Sequence, residues 1–173
     1  MSNNVSSLTN VSRSGVLDDS SATSMVQRVL PALIRLFDET GLVQERAPYV
    51  LAHLVIDNES LQKAACAADA VEKLSIFIRD ANGTTSIRLK ENALFAIAAL
   101  SQSEDNCRMR VVEAGLVPFM AAALSSEEAS IREAACQCFR SLSRSVKLLR
   151  SALSDVDLAT PLIAVRMKGR IFV

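Results

Sequence analysis

His53 and the cysteines at 66, 107, 136 and 138 are the side chains here whose types could serve proton transfer, nucleophilic attack or metal ligation. An imidazole working as acid or base needs a nucleophile or a second titratable group beside it, and the VLAHL stretch around His53 offers neither. Cys136 and Cys138 stand two apart, on roughly opposite sides of a helix, which is the wrong placement for a zinc pair. Four scattered cysteines in an apparently cytosolic helical chain give no disulfide framework, so all four read as small core side chains. The chain has no glycine-rich phosphate loop, no paired-carboxylate constellation and no serine–histidine arrangement. It reads as a non-enzyme, with no cofactor, no metal and no small-molecule substrate.

The elements that would position these residues are clearest in NCRMRVVEAGLVPFMAAALSSEEASIREAACQCFRSLS, residues 106 to 143. A first helix from Asn106 to Ala114 stops at Gly115, and a second opens with Pro118 in its first turn. Ser125 and Ser126, followed by Glu127 and Glu128, offer side-chain caps and carboxylates to the positive end of a third helix. In that helix, about 127 to 143, Ile131, Ala134, Ala135, Cys138, Phe139 and Leu142 recur at three and four residues and define one apolar face. The unit is a three-helix repeat.

The unit recurs. Pro31, Lys73, Pro118 and Pro161 hold equivalent places in second helices, 42, 45 and 43 residues apart, and Leu54, Leu100 and Leu142 hold equivalent places in third helices. A period of 40 to 47 residues with two or three helices per unit is that of the armadillo and HEAT solenoids. The pattern V-V-E-A-G-L-V-P, followed after a serine turn by I-R-E-A-A, resembles the armadillo repeat. The expected fold is all-α, a right-handed α-solenoid of armadillo repeats over residues 25–168, two complete and two partial. Within it, a helix runs from Ser24 or Met25 to Glu39, and Pro48 should kink or divide the helix over 42–56. Asn58 or Ser60 caps the next first helix, and further first and second helices occupy 145–154 and 159–168.

The flanks and the composition complete this picture. Residues 1–24 hold eight serines and five asparagines and threonines, a composition expected to be disordered, and 169–173 form an unstructured end. No positive n-region, apolar leader or spanning stretch occurs, which points to an intracellular protein without a membrane partner. A hydrophobic content of 50% with only 4% aromatic suits close packing of small residues. Zero net charge gives no field for nucleic acid. One local excess stands out: Arg140, Arg144, Lys147, Arg150, Arg166, Lys168 and Arg170 face only Asp155 and Asp157. Leu162, Ile163, Val165, Met167, Ile171 and Phe172 would lie at an end with no helix to cover them, as expected of a truncated chain or one capped by another protein.

Armadillo repeats of the importin kind present a tryptophan and, four residues on, an asparagine from each third helix. Here those ladders read Tyr49, Phe95, Gln137 and His53, Ala99, Ser141, and the chain has no tryptophan. This argues against capture of basic import peptides, and leaves Tyr49 and His53 as groove residues for another partner. From Asn92 onward the run CFRSLSRSVKLLRSAL, followed by TPLIAVRM, resembles the armadillo repeat-containing protein 8 family. That resemblance implies a non-catalytic scaffold that mediates protein–protein interaction in a GID/CTLH-type ubiquitin ligase complex, in cytoplasm and nucleus, targeting proteins for proteasomal degradation. It implies other ligase subunits as partners, and brings Arg140, Arg144, Lys147 and Arg150 forward as a docking patch: the first pair shares the third helix, the second pair the next helix. Arg144 has a second reading inside the fold, as a cap or bridge to carbonyls at the turn between repeats. The alternative is a peptide-binding adaptor of transport or adhesion type.

Overall fold

A computed structural model describes residues 19–80, 83–145, 147, 160–161 and 163, and every regular element among them is helical. In chain order these are α1 (Asp19–Arg35) with a 3-10 turn at Leu36–Asp38, α2 (Gly41–Val55), α3 (Glu59–Ala67), α4 (Ala70–Ile78), α5 (Ile87–Leu100), α6 (Asp105–Glu113), α7 (Val117–Ala123) and α8 (Ala129–Leu142). Helices α3 to α5 form one complete repeat and α6 to α8 the next, while α1 and α2 supply part of the repeat before them. The chain is an all-α solenoid.

The turns explain why the helices break where they do. At the end of α6, Gly115 takes φ +61° and donates to Val112 O, while Leu116 donates to Val111 O at 3.3 Å. These two bonds make a Schellman cap, and the accompanying apolar contact falls to the buried Val111 and Leu116. One repeat earlier Asp69 occupies the same place with φ +59°, since aspartate tolerates the left-handed region better than most residues. Asn58 Oδ1 accepts from Leu61 N–H at the start of α3 and Ser86 Oγ from Leu89 N–H at the start of α5. Pro118 lies in the first turn of α7.

Three expectations change. Helix α1 begins at Asp19, not at Ser24 or Met25, because helical structure tolerates the serines and threonine that composition alone assigns to a tail. Helix α2 runs undivided through Pro48. A proline removes one intrahelical bond and pushes the preceding carbonyls outward, and here the carbonyl of Glu45 accepts from Asn92 Nδ2 of α5 at 2.7 Å. The neighbouring repeat thus takes up a backbone group beside the break. Third, Cys66 on α3 and Cys107 on α6 are joined as a disulfide, with Cα atoms 6.0 Å apart. Equivalent first helices of adjacent repeats lie side by side, so cysteines 41 residues apart meet although nothing in their spacing marks a pair. Residues 1–18 of the tail expected over 1–24, the end at 169–173, and the helices expected over 145–154 and 159–168, apart from residues 145, 147, 160–161 and 163, lie outside the described residues.

The core runs along the stack. Helix α5 packs on α2 on one side and on α8 on the other, the two most extensive contacts in the structure. Its Ala93, Leu94, Ala96, Ile97, Ala98, Ala99 and Leu100 are all buried. The apolar face expected of α8 is buried in full, from Ile131 through Ala134, Ala135, Cys138 and Phe139 to Leu142. Burial pushes the Cys138 thiol well above its ordinary range, and its Sγ donates to Leu94 O of α5 at 3.1 Å.

Leu142 is 1% exposed, so Leu142→Ala is expected to lower the unfolding free energy by about 2 to 5 kcal/mol in a urea titration. A loss below about half a kcal/mol would place that face outside the core. Alkylation of the denatured, unreduced protein should modify Cys136 and Cys138 alone, with all four cysteines modified after reduction. Four modifications without reductant would disprove the Cys66–Cys107 link.

Candidate partner-binding site

The third helices line a groove, and its side chains follow from their register. Tyr49 and His53 project from α2 one turn apart, and Phe95 projects from α5 at the position equivalent to Tyr49. The rings gather: Tyr49 and His53 lie edge to face at 4.3 Å between centroids, with Phe95 at 5.5 Å from His53 and 6.4 Å from Tyr49. Tyr49 is 44% exposed. A cavity of about 320 Å³ opens over these rings, bounded by Glu91 and Asn92 of α5 and by Ser130, Glu133 and Gln137 of α8. Along the same helices, toward their C-terminal ends, a cavity of about 130 Å³ shares Phe95 and Gln137 and adds Gln102, Arg140 and Arg144. The two cavities are neighbours in one groove.

The expected site residues divide. Tyr49 and His53 are together, as the ladder register requires. Ala99 and Ser141, equivalent to His53 in the next repeats, are buried, and Ser141 Oγ donates to Ala98 O across the stack at 2.9 Å. Arg140 is exposed on α8. Arg144 lies in the turn after α8, not on it, and its Nη1 donates to Gln102 O of the previous repeat at 3.1 Å. Gln102 in turn exchanges two bonds with Asp57, one repeat further back, at 3.1 and 2.6 Å. A bridge of turn to turn is therefore part of what Arg144 does. Lys147 is exposed, and Arg150 lies outside the described residues, so the second half of the basic patch has no described geometry.

The residues not singled out from sequence are the acidic ones. Glu45, Glu91 and Glu133 each stand four residues before Tyr49, Phe95 and Gln137, a third ladder with the same period. Glu45 is engaged, accepting from Ser86 Oγ at 2.9 Å, whereas Glu91 and Glu133 make no hydrogen bond or ion pair among the described residues and edge the ring-floored cavity. A second omission is Arg108. It is buried on α6, and its guanidinium donates to the carbonyls of Ser101, Gln102 and Ser103 and pairs with Asp105 at 2.9 Å. It caps the C-terminus of α5 and fixes the turn that Arg144 grips.

Comparison with known proteins agrees with the architecture. A HEAT-like repeat profile matches residues 87–142, from α5 to the end of α8. The chain is 30% identical to GID complex subunit 5 of Schizosaccharomyces pombe over 92% of its own length and 23% of that protein's. It is 28% identical to armadillo repeat-containing protein 8 of Mus musculus, over 91% of this chain and 26% of the mouse protein. It thus spans about a quarter of the length of the curated relatives it matches. Among solved structures, a designed armadillo repeat protein in complex with the peptide (KR)4 superposes with a TM-score of 0.68 at 18% identity, over 82% of this chain and 60% of that one. An engineered protein superposes with a TM-score of 0.67 at 20% identity, over 86% and 64%. These last two likenesses establish the fold.

The geometry separates two arginines that sequence placed in one patch. Arg144→Glu removes the bond to Gln102 O and is expected to destabilise the protein by about 1 kcal/mol, read as a lowered thermal midpoint. Arg140→Glu should leave the midpoint within experimental scatter. Equal melts for the two variants would show that the Arg144 bridge carries no stability.

Proposed function

From the premise that this chain belongs to the family of armadillo repeat-containing protein 8 and GID complex subunit 5, we propose that it is a non-catalytic repeat scaffold that joins other subunits of a GID-type complex. The observation that supports this most is the match to the S. pombe subunit across nine-tenths of the chain. A solenoid suits the role because each repeat adds surface without disturbing the others. In this reading the complex is a ubiquitin ligase of cytoplasm and nucleus that marks proteins for degradation. The chain contributes contacts to that activity, and no step of ubiquitin chemistry falls to its own side chains.

A stacked aromatic groove also fits the adaptor alternative, in which isolated peptides are the physiological cargo. Co-production separates the readings. The tagged chain, made together with the remaining subunits of a GID-type complex and purified through its tag, should elute with them as one assembly on gel filtration. Elution of the chain by itself, with the subunits assembled apart from it, would overturn the scaffold reading.

A further inference from the structure

The two adjoining cavities of the groove differ in charge. The larger has a floor of Tyr49, His53 and Phe95 and carboxylates from Glu91 and Glu133 at its edge. Glu91 is half-buried and has no hydrogen bond or ion pair among the described residues. An aromatic floor with uncompensated carboxylates favours a cation, through attraction to the ring faces and charge-assisted hydrogen bonds. The smaller cavity presents Arg140, also without an ion pair among the described residues, and Arg144, held in place by Gln102 O. Its preference is for a carboxylate, which a guanidinium fork can receive through two bonds.

Spacing decides what could fill both. Glu133 and Arg140 lie seven residues apart on α8, which is two helical turns, or about 10 Å. An extended chain covers that distance in about three residues. We propose that the groove binds an extended segment of a partner protein that presents a lysine or arginine to the Tyr49–Phe95–Glu91 cavity and, three residues away, an aspartate or glutamate to Arg140 and Arg144. A purely basic peptide would meet Arg140 and Arg144, and a purely acidic one would meet Glu91 and Glu133, so selectivity comes from repulsion as well as attraction. A polyanion such as nucleic acid is rejected by the same carboxylates. The inference deepens the scaffold reading and rests on it only in taking the segment from a partner subunit.

The test is selection of random decapeptides on the purified chain, followed by fluorescence polarisation of the best peptide. Paired opposite charges three residues apart should be enriched. Replacing either charged residue of the peptide with alanine, or making Glu91→Gln, Tyr49→Ala or Arg140→Gln in the protein, should each weaken binding about tenfold. Arg140→Glu should regain affinity for a peptide whose acidic residue is exchanged for lysine, a rescue that a misfolded variant could not give. Enrichment without the paired charges, or affinities indifferent to these changes, would overturn the proposal. Failure of peptide selection while the chain still elutes with its complex removes this inference alone. Intact peptide binding with no co-elution removes the scaffold reading alone.

Discussion

Helix α5 is held on both sides by its counterparts from the adjacent repeats, and the rest of the molecule depends on that sandwich. A single repeat cannot bury two faces by itself, so its stability comes from its neighbours. The composition of α5 suits the task. Ala93, Ala96, Ala98 and Ala99 permit close approach of α2 and α8, while Leu94, Ile97 and Leu100 fill the spaces between them. The few aromatic residues in the chain are consequently spared for particular places. Phe37 of the 3-10 turn and Phe77 in the last turn of α4 meet edge to face at 6.4 Å, and Tyr49 and Phe95 stand in the groove.

A second set of interactions fixes the register of the stack. Hydrogen bonds join residues 47, 45, 44 and 43 apart: Asn92 to Glu45, Gln102 to Asp57, Cys138 to Leu94 and Ser141 to Ala98. Gln62, fully buried, donates to Val55 O and accepts from Ser103 N–H, so a polar side chain inside the core has both kinds of partner. Buried polar groups with complete hydrogen bonding cost little, and a slip of one helix by one residue would unpair the bonds which that helix makes to its neighbour. Apolar burial thus brings the helices together and the polar bonds choose one alignment. Ion pairs on the surface, such as Lys73 with Asp38 and Arg110 with Glu72, also join one repeat to the next, at smaller energetic weight.

Much of this was legible because a repeat states its pattern several times. The period, the Gly115 and Pro118 breaks, the Asn58 cap and the buried face of α8 can all be read from residue types and spacing. What escaped depends on contacts between repeats. Pro48 reads as a helix break in isolation, whereas the fold carries α2 through it, with Asn92 of the next repeat donating to the nearby carbonyl of Glu45. Cys66 and Cys107 read as unrelated for the same reason. Arg144 stands open in the sequence between a docking charge and a bridge to carbonyls at the turn between repeats, and only the fold shows it donating to Gln102 O. The acidic ladder of Glu45, Glu91 and Glu133 was available from the period itself, and attention to the ring positions alone passes over it.

The groove is a by-product of the same geometry: stacking third helices in register necessarily aligns their exposed positions, so each ladder becomes a row of side chains across repeats. The groove therefore depends on α5 being the common inner layer. Hydrogen exchange of the purified chain, followed by mass spectrometry, tests this directly. The amides of α5 should exchange most slowly and those of α1 most rapidly among the helices, with α2 and α8 losing protection together with α5 as denaturant is added. Exchange of α5 as fast as that of α1 would contradict the account, since a helix buried between two neighbours cannot open without parting from both.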